Sequence, residues 1–169
     1  MAAPYVKDGG NGIDVGAREG GFAMQMEDHF DHIYCFDFRS EHFVNKIFGK
    51  NVKNKDKFTY TVTAIGDKNE ISYTKPRVGR IKGHGSLRVK IRTLDSFDLP
   101  NITFIKYDIE GYELKAIKGS EHTIKKYNPV IVVEQNKGNT DAKELLESWG
   151  YVCKSVDAIF NQDYLMVKE

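Results

Sequence analysis

Asp14, Gly16 and Gly20 stand in the arrangement Asp-x-Gly-x-x-x-Gly at the end of a short apolar run, Gly12-Ile13-Asp14-Val15. Glycines between a strand and a helix let a ligand approach the backbone with no Cβ in the way. The dinucleotide fingerprint G-x-G-x-x-G is absent, because Gly16, Gly20 and Gly21 are spaced G-x-x-x-G-G. An acid inside the strand would repel a pyrophosphate and attract a cationic amino group. S-adenosylmethionine carries such a group. Asp37 closes the next apolar run, 17 residues after Gly20, where a carboxylate can accept both hydroxyls of an adenosine ribose. Either acid alone reads equally well as a turn cap; the pair with the glycines between them favours a ligand.

A second constellation is Asp108-Ile109-Glu110-Gly111-Tyr112-Glu113, which gathers three carboxylates within six residues. Such a grouping is costly unless a ligand, a cation or a helix N-terminus compensates. A helix opening at Gly111 explains Glu113, as decoration of its first turn, better than it explains Asp108. In an open α/β sheet, ligands bind outside the carboxyl ends of the strands. Asp108 is therefore expected beside the same crevice as Gly16 and Asp37.

The elements that position these residues alternate short apolar runs with amphipathic segments, the pattern of a parallel sheet covered by helices. Strands are expected at residues 12–15, 32–37, 58–65, 70–74, 87–91, 102–108 and 129–134, with an antiparallel pair at 151–156 and 164–167. Helices are expected over 22–29, from Ser40 through Phe48, from Gly111 to Tyr127, and from Thr140 or Asp141 to Gly150. Lys75–Gly85 reads as a basic loop. No repeat of 20–50 residues and no internal domain boundary is visible.

Composition narrows the function classes. The 169 residues are 40% apolar, with 25 basic and 24 acidic side chains. Net charge +1 disfavours an electrostatic nucleic-acid binder. The longest aliphatic run, Val130–Val133, is far below the roughly 20 residues of a membrane span. No signal peptide precedes the first strand, and Cys35 and Cys153 read as buried thiols, so a cytoplasmic protein is expected. The five histidines lack zinc-ligand spacing, and no metal is expected, Asp108 with Glu110 being the alternative as a Mg²⁺ pair. Lys75, Arg77, Arg80, Lys82, Arg88, Lys90 and Arg92 form either a solvated face or a patch for an anionic acceptor.

Ile13-Asp14-Val15-Gly16-Ala17-Arg18-Glu19-Gly20 resembles the D-V-G-A-N-x-G turn of the FkbM family of S-adenosylmethionine-dependent methyltransferases. Thr93-Leu94-Asp95 is similar to the family's T-L-D segment, and Ile105-Lys106-Tyr107-Asp108-Ile109-Glu110-Gly111-Tyr112-Glu113 to its I-K-I-D-V-E-G-x-E signature. Ala64–Asp67, Gly85-Ser86-Leu87, Pro129–Glu134 and Trp149-Gly150-Tyr151 match further family elements, from about residue 12 to the C-terminus. Arg18 departs from the family's Asn, and Phe38 from its Pro.

The resemblance implies a doubly wound, Rossmann-like, seven-stranded α/β sheet, mostly parallel with an antiparallel C-terminal strand. It implies one methyltransferase domain over residues 1–169, without an N-terminal cap. The family methylates hydroxyls of sugars or small natural products, so the implied acceptor is a small molecule or glycan. By analogy Asp14 and Gly16 face the methionine part of the cofactor, Asp37 the ribose, and Ala64, Ile65 and Gly66 the adenine, with Ala17, Arg18, Gly20, Phe22 and Phe38 as further cofactor-binding residues. Ser86 contacts cofactor or acceptor. Asp108, a cofactor neighbour too, or Glu110 serves as base, with Lys106 orienting Asp108 and His84 a further candidate. The alternatives are a non-catalytic cofactor-binding module, a subunit completed by a partner chain such as a second copy, and an enzyme acting on an anionic or nucleic-acid acceptor.

Overall fold

A computed structural model describes residues 5–6, 9–39, 50, 52, 54–74, 87–157 and 162–169. Seven strands form the main sheet: β1 (Asn11–Val15), β2 (His32–Asp37), β3 (Phe58–Val62), β7 (Ile102–Tyr107), β8 (Val130–Gln135), β9 (Tyr151–Asp157) and β10 (Gln162–Lys168). Their order is β3-β2-β1-β7-β8-β10-β9, and β10 alone runs antiparallel to its neighbours. The order reverses between β1 and β7, and the crevice of such a sheet opens at their carboxyl ends.

Both faces of the sheet are covered, which is why its central strands are apolar at successive positions. Ile13, Val15, Ile105, Tyr107, Ile131 and Val133 point to one face, packed under α2 (Glu113–Lys118), α3 (Glu121–Tyr127) and α4 (Asp141–Ser148). Ile33, Cys35, Phe104, Val132 and Leu165 point to the other, where Ala23 of α1 (Gly21–Gln25) packs. By the same alternation Asp14, Asp37, Lys106 and Asp108 belong to the α1 side, at the carboxyl ends of three adjacent strands.

A second, three-stranded sheet of β4 (Ala64–Ile65), β5 (Glu70–Thr74) and β6 (Leu87–Arg92), in the order β4-β6-β5, leaves the main sheet at Thr63. The single strand expected over 58–65 is thus two strands in two sheets. Thr63 makes the break: its N–H donates to Asp37 O and its hydroxyl to Lys90 O, one contact to each sheet. The helix expected from Gly111 to Tyr127 starts later, at Glu113, and divides at Gly119-Ser120. There a Cβ on Gly119 would lie 1.9 Å from the carbonyl oxygen of Gly66, so only glycine lets the elbow dock on the second sheet. The helix expected over 22–29 ends at Gln25, followed by a 3₁₀ turn at Glu27–His29.

The α4 helix, its stop before Gly150 (φ 84°) and the terminal antiparallel pair match expectation. The Ser40–Phe48 helix and the Lys75–Gly85 loop lie outside the described residues. Among the described residues no helix is long and apolar enough to cross a membrane.

Candidate active site

Parallel pairing of β1 with β7 sets Asp14 directly opposite Lys106. Asp108 follows one residue past β7, its N–H bonded to Val15 O, so the ladder carries both signature segments to the same edge. A cavity of about 150 Å³ opens there, lined by Asp14, Gly16, Arg18, Phe22, Lys106 and Asp108, with Ala17 also in its wall. Gly16 has φ 94°, and a Cβ on it would stand 1.9 Å from Asp108 O. The two turns therefore interlock backbone to backbone, which no residue other than glycine permits. Gly20 (φ 81°) leads into α1 and is not among the residues that line the cavity.

Asp14 is 2% exposed, and neither carboxylate oxygen has a hydrogen-bond partner. The Ala23 N–H faces it and favours its charged form, but stands outside hydrogen-bonding geometry. Burial pushes its pKa from 3.8 up to about 6; Lys106 opposes the rise, and Asp108 and Asp37 add to it. A buried acceptor with no donor inside the protein is the signature of a group kept for a ligand. A cationic amino group fits it.

Lys106 Nζ lies 2.8 Å from Asp108 Oδ2 and 5.3 Å from the centre of the Phe22 ring, which itself stacks on Phe104. Lysine and ring together fix Asp108 at the cavity edge. Arg18 forms an ion pair with Glu110, joining the glycine turn to the acidic turn. Both residues have left-handed backbone, with φ 46° and 57°. Arg18 lines the cavity and reaches from the glycine turn to Glu110 on the acidic turn.

Asp37 lies outside the cavity lining, beside the same turn. Its carboxylate accepts from Arg18 N at 3.1 Å, Arg39 N at 2.9 Å and the Arg39 guanidinium at 2.6 Å. Phe38 follows it, 44% exposed. Ala64, Ile65 and Gly66 are not brought to the cavity. Ile65 is buried in the main core, and Gly66 packs on Ile91 and Tyr112. Ser86, Gly85 and His84 lie outside the described residues.

Two acids have roles the sequence does not announce. Glu113 does not decorate a helix turn. It is 2% exposed, and its Oε1 accepts from Ile109 N (3.1 Å) and Gly111 N (2.9 Å), anchoring the acidic turn from below. Burial raises its pKa, opposed by those amides. Asp95 of the T-L-D segment caps α3, accepting from His122 N, Thr123 N and Thr123 Oγ1 at 3.0, 2.8 and 2.7 Å. Asp95 and Thr123 are 28 residues apart, beyond the reach of any local capping pattern.

Residues 37–153 match the Methyltransferase FkbM domain. The chain belongs to the FkbM methyltransferase family. Its fold is shared by the crystal structure of methyltransferase FkbM from Methylobacillus flagellatus KT, 20% identical with a TM-score of 0.69, in which 94% of this chain covers 44% of that one. TrmK from M. capricolum, solved with S-adenosylhomocysteine, is 11% identical with a TM-score of 0.62, over 99% of this chain and 65% of that one. Precorrin-6y C5,15-methyltransferase from Geobacter metallireducens GS-15 is 18% identical with a TM-score of 0.55, over 96% and 82%. No curated protein matches the chain. The chain thus spans under half of the Methylobacillus FkbM protein. These three likenesses concern the fold; membership of the family rests on the domain match.

Proposed function

We propose that this FkbM domain binds S-adenosylmethionine and transfers its methyl group to a hydroxyl of a sugar or other small acceptor. The unpartnered, buried carboxylate of Asp14 on the glycine-turn cavity carries the reading. When bound, the cofactor supplies a methyl group on a positively charged sulfur, open to in-line attack.

The remaining work falls to this chain's residues. Asp14 holds an ammonium group. Asp37, fixed by the Arg18 and Arg39 amides, offers its carboxylate to ribose hydroxyls, and the exposed Phe38 ring covers an adenine. Phe22 and Lys106 shield one side of the cavity from water. Holding a nucleophile in near-attack geometry supplies roughly 7–11 kcal/mol in favourable cases. A carboxylate of the acidic turn, Asp108 Oδ or Glu110 Oε, takes the hydroxyl proton as the new bond forms, a contribution of about 10²–10⁴-fold.

An anionic acceptor is a second reading, favoured by the outer face of the β5–β6 pair. Exposed Tyr73 and Ile71 stand there opposite exposed Arg88 and Lys90.

Calorimetric titration of S-adenosylmethionine and S-adenosylhomocysteine into wild type and Asp14→Asn tests the reading. Micromolar binding, weakened at least about tenfold (about 1.4 kcal/mol) by the isosteric change, is expected. Folded wild type that binds neither compound overturns it. Neutral and phosphorylated sugars, screened with the loaded protein, then separate the two acceptor readings.

A further inference from the structure

The near-neutral total charge conceals an uneven distribution. Residues 75–92 carry seven basic and no acidic side chains, which leaves 18 basic and 24 acidic for the rest of the chain. Positive charge is thus concentrated in one stretch of an otherwise net-negative molecule. β6 lies in that stretch, and its side chains alternate: Val89 and Ile91 are buried, whereas Arg88 and Lys90 are exposed. The register pairs Ile71 with Lys90 and Tyr73 with Arg88, and directly opposed residues of antiparallel strands share a face. Ile71 is 50% and Tyr73 66% exposed, the latter more than any other large apolar side chain among the described residues. Arg92 continues the row by alternation, but its guanidinium lies over the Phe97 ring and donates to Ser96 O at 3.3 Å. The outer face of the second sheet therefore sets two open cations beside an open aromatic ring.

We infer that this face is a docking surface for single-stranded nucleic acid, with phosphates on Arg88 and Lys90 and a base stacked on Tyr73. Residues two apart on a strand stand about 7 Å apart, a pitch comparable to that of successive phosphates along an extended single strand. Tyr73 is one strand over from Arg88, about 5 Å away across the ladder, so the base attached to a bound phosphate can lie flat on its ring. Ile71 extends the apolar surface beside it. A duplex keeps its base faces inside its own stack, so it gains the charge contacts without the stacking. An acidic glycan carries charge with no flat π face next to it, and Tyr73 directly opposite Arg88 favours the nucleic acid. The acidic excess over the rest of the chain repels a polyanion elsewhere, which confines binding to this face. The inference concerns binding alone, so it goes beyond the anionic-acceptor reading and holds whether or not the cofactor assignment does.

Fluorescence anisotropy of a labelled single-stranded RNA of about twelve nucleotides, and of the same sequence as a duplex, tests this. Wild type is expected to bind the single strand with a dissociation constant of about 10⁻⁶–10⁻⁴ M, the range of sequence-independent binding, and the duplex at least about fivefold more weakly. Log affinity falls against log salt with a slope of about −1.4, from about −0.7 for each of two phosphates. Tyr73→Ala weakens the single strand about fivefold or more and leaves the slope unchanged, and Tyr73→Phe restores the affinity. Arg88→Gln together with Lys90→Gln flattens the slope toward zero. All these side chains are exposed, so the variants keep the wild-type urea midpoint, which separates docking from folding. No anisotropy change at about 10⁻⁴ M protein overturns the inference, as does equal affinity for wild type and Tyr73→Ala. A heparin fragment of equal charge that displaces the RNA at equal concentration also overturns it and assigns the face to an acidic glycan. Titration with S-adenosyl compounds bears on the cofactor alone, so the two readings fail separately.

Discussion

Asp14, when charged, carries an energetic burden in the free protein. Burying a carboxylate without a donor is unfavourable, and the group responds by holding its proton up to about pH 6. The folded pKa lies above the unfolded one, so the folded state binds more protons between about pH 4 and pH 6. Stability therefore falls as pH rises through that window, and the full cost applies above it. At 1.36 kcal/mol per unit the ceiling is roughly 3 kcal/mol. Asp14→Asn is expected to stabilise the ligand-free protein at about pH 7.5 by up to that amount, with most of the gain gone by about pH 4.5, as urea denaturation at the two pH values would show. Destabilisation at the higher pH would mean that the carboxylate is paired inside the protein. Under the proposed function the same variant is expected to bind S-adenosylmethionine more weakly, so that stability and function trade against each other at one residue.

At the scale of elements, acids of one type do different work according to which amides they meet. Glu113 looks like a first-turn carboxylate in sequence, yet it anchors the turn between β7 and α2, while Asp95 ties the 3₁₀ segment Leu94–Phe97 to the start of α3. Asp95→Ala removes three acceptor contacts and is expected to cost about 1–3 kcal/mol, the scale of a lost helix cap with its hydroxyl partner. The check is the urea midpoint. Binding of S-adenosylhomocysteine should be unchanged, because α3 covers the face of the sheet opposite the cavity. A loss of binding with no loss of stability would place Asp95 in the site instead.

Over the whole molecule, the helical layer that covers the main sheet meets the second sheet in a close backbone contact. Gly119, at the α2–α3 elbow, lies against the carbonyl of Gly66 beside β4. Its φ of −78° suits any residue, so the requirement for glycine is purely one of space. Gly119→Ala is expected to cost about 4 kcal/mol or more, a large share of a typical domain's 5–15 kcal/mol. Hydrogen exchange should quicken first in β4–β6, with β1 and β7 protected longest. Uniform loss of protection across both sheets would show instead that the second sheet unfolds only with the first.

Much of this was legible before any coordinates. Apolar runs at residues 12–15, 32–37, 102–108 and 129–134 located the parallel strands, and the strand-end position of Asp108 put it beside the same crevice as Gly16 and Asp37. The spacing of Asp14, Gly16 and Gly20 marked the turn. These are local properties, set by backbone geometry within a few residues. The division of 58–65 between two sheets, the elbow at Gly119, the anchoring by Glu113 and Asp95, and the Arg18–Glu110 pair were not legible. Each depends on which donor meets which acceptor across tens of residues: Thr63 with Lys90, Asp95 with Thr123, Arg18 with Glu110. Only the register of packed strands brings such groups within reach, and no local pattern encodes it.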